Sequence, residues 1–232
     1  MFKFSFTKLE LSIICLVFFL ILLGLILSFT NLEFFLDHYI IEDGFIEWLT
    51  VVGLLFGAGV CFTRAKRLYT SRGFLFSLFT ISLGILMIIA AGEEISWGQR
   101  IIGIESSDYF KDNNSQQEMN FHNLVINGVR INTLVFSLIL ISSLSIYMII
   151  VPYFYRKNTW VQNFLDSKGI ILPKTYQTIS VLLVFAMTTL IPHGKKAELL
   201  EFGAVFIFLL IVFYPLNEHI FHKNKSIEKD RS

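Results

Sequence analysis

The sequence predicts an all-α polytopic integral membrane protein, a helical bundle of about six transmembrane helices. Composition is the first observation: of 232 residues, 54% are apolar and 16% charged, whereas soluble domains carry roughly a quarter charged residues. Hydropathy is the second, with apolar runs at about 11–29, 45–63, 73–91, 131–151, 175–191 and 199–216 that match the thickness of a hydrocarbon core. The third is that Lys and Arg fall unevenly between the connections.

The first run follows Lys3 and Lys8, as a signal peptide would, but the string Leu27-Ser28-Phe29-Thr30-Asn31 offers no small-x-small cleavage site. It therefore reads as a retained signal anchor. Runs 45–63 and 73–91 are joined by a basic connection, Arg64, Lys66, Arg67 and Arg72. The fifth run, 175–191, is diluted by Thr175, Gln177, Thr178, Ser180, Thr188 and Thr189, yet 181–187 is wholly apolar and Pro173 and Pro192 bracket it. The whole chain, 1–232, reads as one transmembrane domain.

Orientation follows from the basic residues. One set of ends and loops holds fourteen (Lys3, Lys8, Arg64, Lys66, Arg67, Arg72, Arg156, Lys157, Lys168, Lys174, Lys223, Lys225, Lys229, Arg231). The other holds five, Arg100, Lys111, Arg130, Lys195 and Lys196, so both termini are expected in the cytoplasm. A formal net charge of +1 and no basic block in a folded region exclude a nucleic-acid partner. Cys15 and Cys61 both lie inside apolar runs and support neither a disulfide framework nor a Cys-based zinc site.

Acids partition the other way, with Glu42, Asp43, Glu47, Glu93, Glu94, Glu105, Glu118, Glu198 and Glu201 on the extracytoplasmic side. Depletion of Lys and Arg there explains a scatter of loop acids, but less well their closeness to the ends of the runs. Glu42, Asp43, Glu47, Glu198 and Glu201 would sit at positive helix-dipole ends, a placement that stabilises by about 0.3–1 kcal/mol without any function. Glu93 and Glu94 would sit at the end of the third run, where a carboxylate is disfavoured. If that helix continues past Arg100, then Glu93, Ser96, Trp97 and Arg100 share one face and Glu94 points about 100° away. A Glu93–Arg100 association with Trp97 as a headgroup-level anchor is the structural alternative to a catalytic role.

The outer loop, 102–130, carries Ser115-Gln116-Gln117-Glu118, a capping-box pattern, and Asn127-Gly128, a helix stop. These predict a short helix over 116–127, with Glu118 and His122 one turn apart. A carboxylate and an imidazole at that spacing can share zinc, iron or manganese, or form a general-base pair. Alternatively Glu118 only completes the cap. His193, between Pro192 and Gly194, can join the same surface or serve as an ordinary loop histidine. The apolar cores carry no charged residue at mid-depth, which argues against a transporter.

Three strings, Glu42-Asp43-Gly44-Phe45-Ile46-Glu47-Trp48, Gly92-Glu93-Glu94-Ile95-Ser96-Trp97-Gly98-Gln99-Arg100 and Gln117-Glu118-Met119-Asn120-Phe121-His122-Asn123-Leu124, together resemble an uncharacterised family of bacterial multi-pass membrane proteins. That resemblance implies a bacterial plasma (inner) membrane location and assigns no reaction. Glu93-Glu94 followed by Arg100 is also loosely similar to the CAAX-type glutamate intramembrane proteases. Here five residues separate Glu94 from Arg100 where that family has three, and its later histidine elements are not found in order.

The sequence thus leads to an acidic and histidine site at the extracytoplasmic interface. In its enzymatic version Glu93 or Glu94 is general base, Arg100 stabilises developing negative charge, and Glu118 and His122 bind a divalent metal. Glu42, Glu47, Trp97, His193, Glu198 and Glu201 are the second contributors. Such an enzyme is expected to be hydrolase-like and to act on a lipid-linked or envelope substrate. A non-catalytic component binding a lipid headgroup or a partner protein is the alternative.

Overall fold

The computed structural model describes residues 6–121, 123–131 and 141–222. A capping box opens the first helix: Thr7 Oγ1 accepts the Glu10 N–H at 3.1 Å and Glu10 Oε2 accepts the Thr7 N–H at 2.8 Å. Helix α1, Lys8–Thr30, then runs unbroken, since nothing charged and no proline interrupts its apolar run. Asn31 ends it and accepts the Phe34 N–H at 3.1 Å, starting a helical turn that continues as the π-helical segment Phe35–Tyr39. The Tyr39 hydroxyl donates to the Leu20 carbonyl at 2.7 Å and folds this segment back on α1.

Asp43, at φ 57°, turns the chain into helix α2, Phe45–Arg72. Gly73, at φ 86°, is the only residue between α2 and helix α3, Phe74–Glu94, so the two make an antiparallel hairpin. Helices α1, α2 and α3 hold 23, 28 and 21 residues and are long and apolar enough to cross a membrane. Their outward faces carry exposed Phe19, Phe56 and Leu86.

The expected fourth run lies in part, 132–140, outside the described residues. Its remainder is continuous helix: Ile141–Ser145, a π-helical turn Ile146–Ile150, and then Val151–Lys157. Of the later runs, 175–191 is a helix only over Thr175–Thr189, and 199–216 is a helix over Lys196–Phe213. The helix Lys196–Phe213 is the centre of the bundle. It packs on α1, α2 and Thr175–Thr189, and its Leu199, Phe202, Ile207 and Leu210 are fully buried. At its far end Arg64 of α2 caps it, Nη1 donating to the Val212 carbonyl and Nη2 to that of Phe213 at 3.0 Å.

Two expectations are corrected. The helix over 116–127 does not form. Instead the loop contains a helical turn at Asp108–Asn113 and a small antiparallel hairpin, strand β1 Val125–Ile126 with strand β2 Val129–Arg130. Asn127 and Gly128, at φ 52° and 77°, are its two-residue turn, so this dipeptide reverses a hairpin and does not stop a helix. Asn114 supplies the reason: its Oδ1 accepts the N–H groups of Gln116 at 2.9 Å and Glu118 at 3.3 Å, a local turn that competes with helix. The second correction is that α3 does not continue past Arg100 but ends at Glu94.

Candidate functional site

Beyond Glu94 the backbone takes three consecutive left-handed residues, Ser96 at φ 46°, Trp97 at φ 55° and Gly98 at φ 75°. For the two that are not glycine this costs about 1–2 kcal/mol each, so the surroundings must hold them there. Trp97 lies over Gly92, where a Cβ would come within 2.8 Å of ring atom Cε3. Its indole N–H donates to Glu93 Oε1 at 2.8 Å. Ser96 is fully buried, donates to Glu118 Oε2 and accepts from Asn120 Nδ2 at 2.9 Å. The string Gly92 to Gly98 therefore encodes a tight turn. Glu93, Ser96, Trp97 and Arg100 do not share one helix face, although Glu93 and Trp97 still touch.

That turn delivers Arg100 to three carboxylates. Its Nε lies 2.7 Å from Asp43 Oδ2, its Nη2 donates to Asp43 Oδ1 at 2.8 Å and Glu47 Oε1 at 3.3 Å, and its Nη1 donates to Glu118 Oε1. Burial alone would lower the Arg100 pKa, but hydrogen bonds and charge from Asp43 and Glu118 outweigh it and raise it. Arg100 is thus a permanent cation held by acids. An anion developing on a substrate would have to displace a carboxylate to reach it.

Glu93 serves the loop, its Oε2 accepting the Phe121 N–H at 2.6 Å. Buried amides complete the attachment. Gln99 Nε2 donates to Ser106 Oγ at 2.6 Å, Gln99 Oε1 accepts the Met119 N–H at 2.7 Å, and Asn114 Nδ2 donates to the Asn120 carbonyl at 2.9 Å. Glu42 adds a rim contact from Gln116 Nε2 at 2.9 Å. Sequence reasoning missed Asp43, Ser96, Gln99, Ser106, Asn114 and Asn120 as parts of this assembly. The density of Asn and Gln in 113–127 was the available signal, since buried amides need designated partners.

Glu94 has other neighbours. It interacts electrostatically with Glu198 and Glu47, and Glu201 interacts with Glu94, Glu198 and Glu47. Three helices therefore bring four carboxyls together: α2 with Glu47, α3 with Glu94, and Lys196–Phe213 with Glu198 and Glu201. Lys195 and Arg100 are the cations that Glu198 feels. Among the described residues none donates a hydrogen bond to the side chains of Glu94, Glu198 or Glu201.

The remaining candidates are separate or local. His193 Nδ1 accepts the Lys195 N–H at 3.2 Å and closes its own turn. His122 lies outside the described residues. Glu118, expected as its partner on a metal, has its oxygens occupied by Arg100, Ser96 and Asn120. Among the described residues no three His, Cys, Asp or Glu side chains are arranged to hold a metal ion. Of the cysteines, Cys61 is buried and Cys15 is exposed on α1. No protein-family model, curated protein or solved structure matches this chain.

Proposed function

We propose that this chain is a multi-pass membrane protein of six spans with both termini cytoplasmic, and that its acidic end is an extracytoplasmic acid–base site. Glu94, Glu198 and Glu201 are the working carboxyls, with hydrolase-like chemistry on a lipid-linked or envelope substrate. One observation carries the reading: carboxyls from separate helices interact electrostatically with no hydrogen-bond donor to Glu94, Glu198 or Glu201 among the described residues, while the acids beside them pair with Arg100. Ionisable groups at membrane depth are costly and mark pathways or reaction sites. Arg100, assigned from sequence to charge stabilisation, acts in this scheme as the clamp that holds the loop over the site. The described carboxyls do not form a three-ligand site, and no step is assigned to a divalent metal such as zinc, iron or manganese.

The test is to incubate the purified protein in nanodiscs with an envelope lipid extract and follow released headgroups by mass spectrometry, with metal content measured alongside. Release by wild type that is lost in Glu94→Gln and Glu201→Gln supports the enzyme. Unchanged release in both variants overturns it.

A second reading rests on a different feature. Trp97 and Phe121 are both exposed, and both are held by the one Glu93 carboxylate. An aromatic pair so positioned suits a headgroup or a partner protein. Loss of partner or lipid recovery in Trp97→Ala, with no turnover in wild type, would favour this non-catalytic role.

A further inference from the structure

We infer that a cleft at the opposite, basic end of the bundle binds the phosphate of an anionic membrane lipid. Three elements build it: the last turn of α2, the helix Thr159–Ser167, and the 3₁₀ turn Glu218–Phe221. The cavity measures 430 Å³, within the range of ligand pockets, about 300–1,000 Å³. Its polar lining is Ser71, Arg72, Asn163, Asp166, Ser167 and His219.

The hydrogen bonds of these groups decide the sign of the ligand. Among the described residues Asp166 is the only acid in the lining, and its carboxylate is fully engaged. It accepts from Tyr155 Oη at 3.1 and 3.2 Å, from Asn217 Nδ2 at 2.9 Å, and pairs with His219 Nε2 at 3.1 Å. Arg72 is less committed. Among the described residues only Nη2 has protein partners, the His219 and His222 carbonyls at 3.3 and 3.4 Å, which leaves the rest of the guanidinium to the cleft. Asn163 is exposed and its amide has no hydrogen-bond partner among the described residues. His219 Nε2 faces Asp166 at 3.1 Å, so this ring belongs to the acid's own partners. A guanidinium and an amide beside an acid already engaged by its own donors form a phosphate-type site.

The neighbouring helix indicates a lipid as the source of that phosphate. Asn158 caps Thr159–Ser167 through the N–H groups of Trp160 at 2.9 Å and Val161 at 3.2 Å, so its orientation is set. Leu165 is buried, whereas Trp160 and Phe164 face outward and stack with centroids 5.6 Å apart. Lys168 Nζ lies 5.9 Å from the centre of the Phe164 ring. Outward aromatics beside a lysine on a short amphipathic helix are the composition of a membrane-interface element. The cleft behind it therefore opens at headgroup level.

Native mass spectrometry of the full chain in detergent, titrated with phosphatidylglycerol, phosphatidylcholine or inorganic phosphate, tests this. Wild type should retain phosphatidylglycerol well above phosphatidylcholine. Asn163→Asp, which replaces the amide donor by a carboxylate without breaking a hydrogen bond to any described residue, should weaken that retention at least about tenfold, the worth of one charge-assisted hydrogen bond. Arg72→Gln should act in the same direction, and Lys66→Gln, an exposed basic residue outside the cleft, should not. Equal retention by wild type and Asn163→Asp, at equal melting temperatures, overturns the site. Binding of inorganic phosphate that is sensitive to Asn163→Asp, with no preference between the two lipids, overturns the lipid assignment in favour of a free anion.

Discussion

Arg100 and Asp43, 57 residues apart, form an ion pair in which Nη2 donates to Oδ1 at 2.8 Å and Nε lies 2.7 Å from Oδ2. Asp43 stands at the entry to α2 and Arg100 just past the turn that ends α3, so one ion pair joins the open ends of the helical hairpin. Glu47 and Glu118 extend the pair into a network that also holds the 102–130 loop.

Removing the cation should be the most damaging single change at this end. Arg100→Gln leaves three acids facing one another and is expected to lower stability by about 2–3 kcal/mol. That is less than the roughly 3–5 kcal/mol of a fully buried pair, because Arg100 retains 25% exposure. Arg100→Lys keeps the charge but loses the fork and should recover only part of it. Thermal unfolding in detergent reads both, and a wild-type melting curve for Arg100→Gln would show that the network contributes nothing.

The Gly92–Trp97 contact makes a steric prediction. Gly92→Leu cannot be accommodated under the Trp97 ring and should displace it, lowering the melting temperature more than Gly98→Ala. The latter adds only left-handed strain, about 1 kcal/mol. If Gly92→Leu melts as wild type, Trp97 does not lie over residue 92 in the folded protein.

For the carboxyl cluster, stability and function should separate. Glu94→Gln, Glu198→Gln and Glu201→Gln each remove a carboxylate from among like neighbours and are expected to hold or raise the melting temperature while ending turnover. A loss of several degrees on any of these neutral substitutions would mean that the cluster is a structural anchor and not a working site.

At the basic end, Arg64→Met keeps the apolar stem but frees the Val212 and Phe213 carbonyls. Limited proteolysis should then cut near residue 214 several times faster than in wild type. Unchanged cleavage would show that water caps that helix end equally well.

Orientation is testable with Cys15 and Cys61 replaced by Ser. An impermeant maleimide applied outside intact cells should label Asp108→Cys and not Lys66→Cys, two exposed positions at opposite ends of the hairpin. The reverse labelling pattern would invert the proposed topology.

The long apolar helices were legible in the sequence because an uninterrupted apolar run specifies helix locally, through composition and length. Residues 11–29 contain nothing that could stop α1, and Gly73 is the natural break between α2 and α3. The gathering of acids at one end was legible too, since it follows from where Lys and Arg are absent. The arrangement of the site was not. Reading 93–100 as continuing helix failed because Trp97 packs on Gly92 and Ser96 is pulled to Glu118, contacts that outweigh the local cost of left-handed backbone. The hold of Arg100 on Glu118 was not legible, because the two become neighbours only after the chain has folded. That Glu93 and Glu94 see different neighbours followed from their roughly 100° separation on a helix, but which neighbours, a loop amide for one and a group of carboxyls for the other, was decided by tertiary structure. Side-chain partners across tens of residues carry no local signature, whereas helix-forming patterns do.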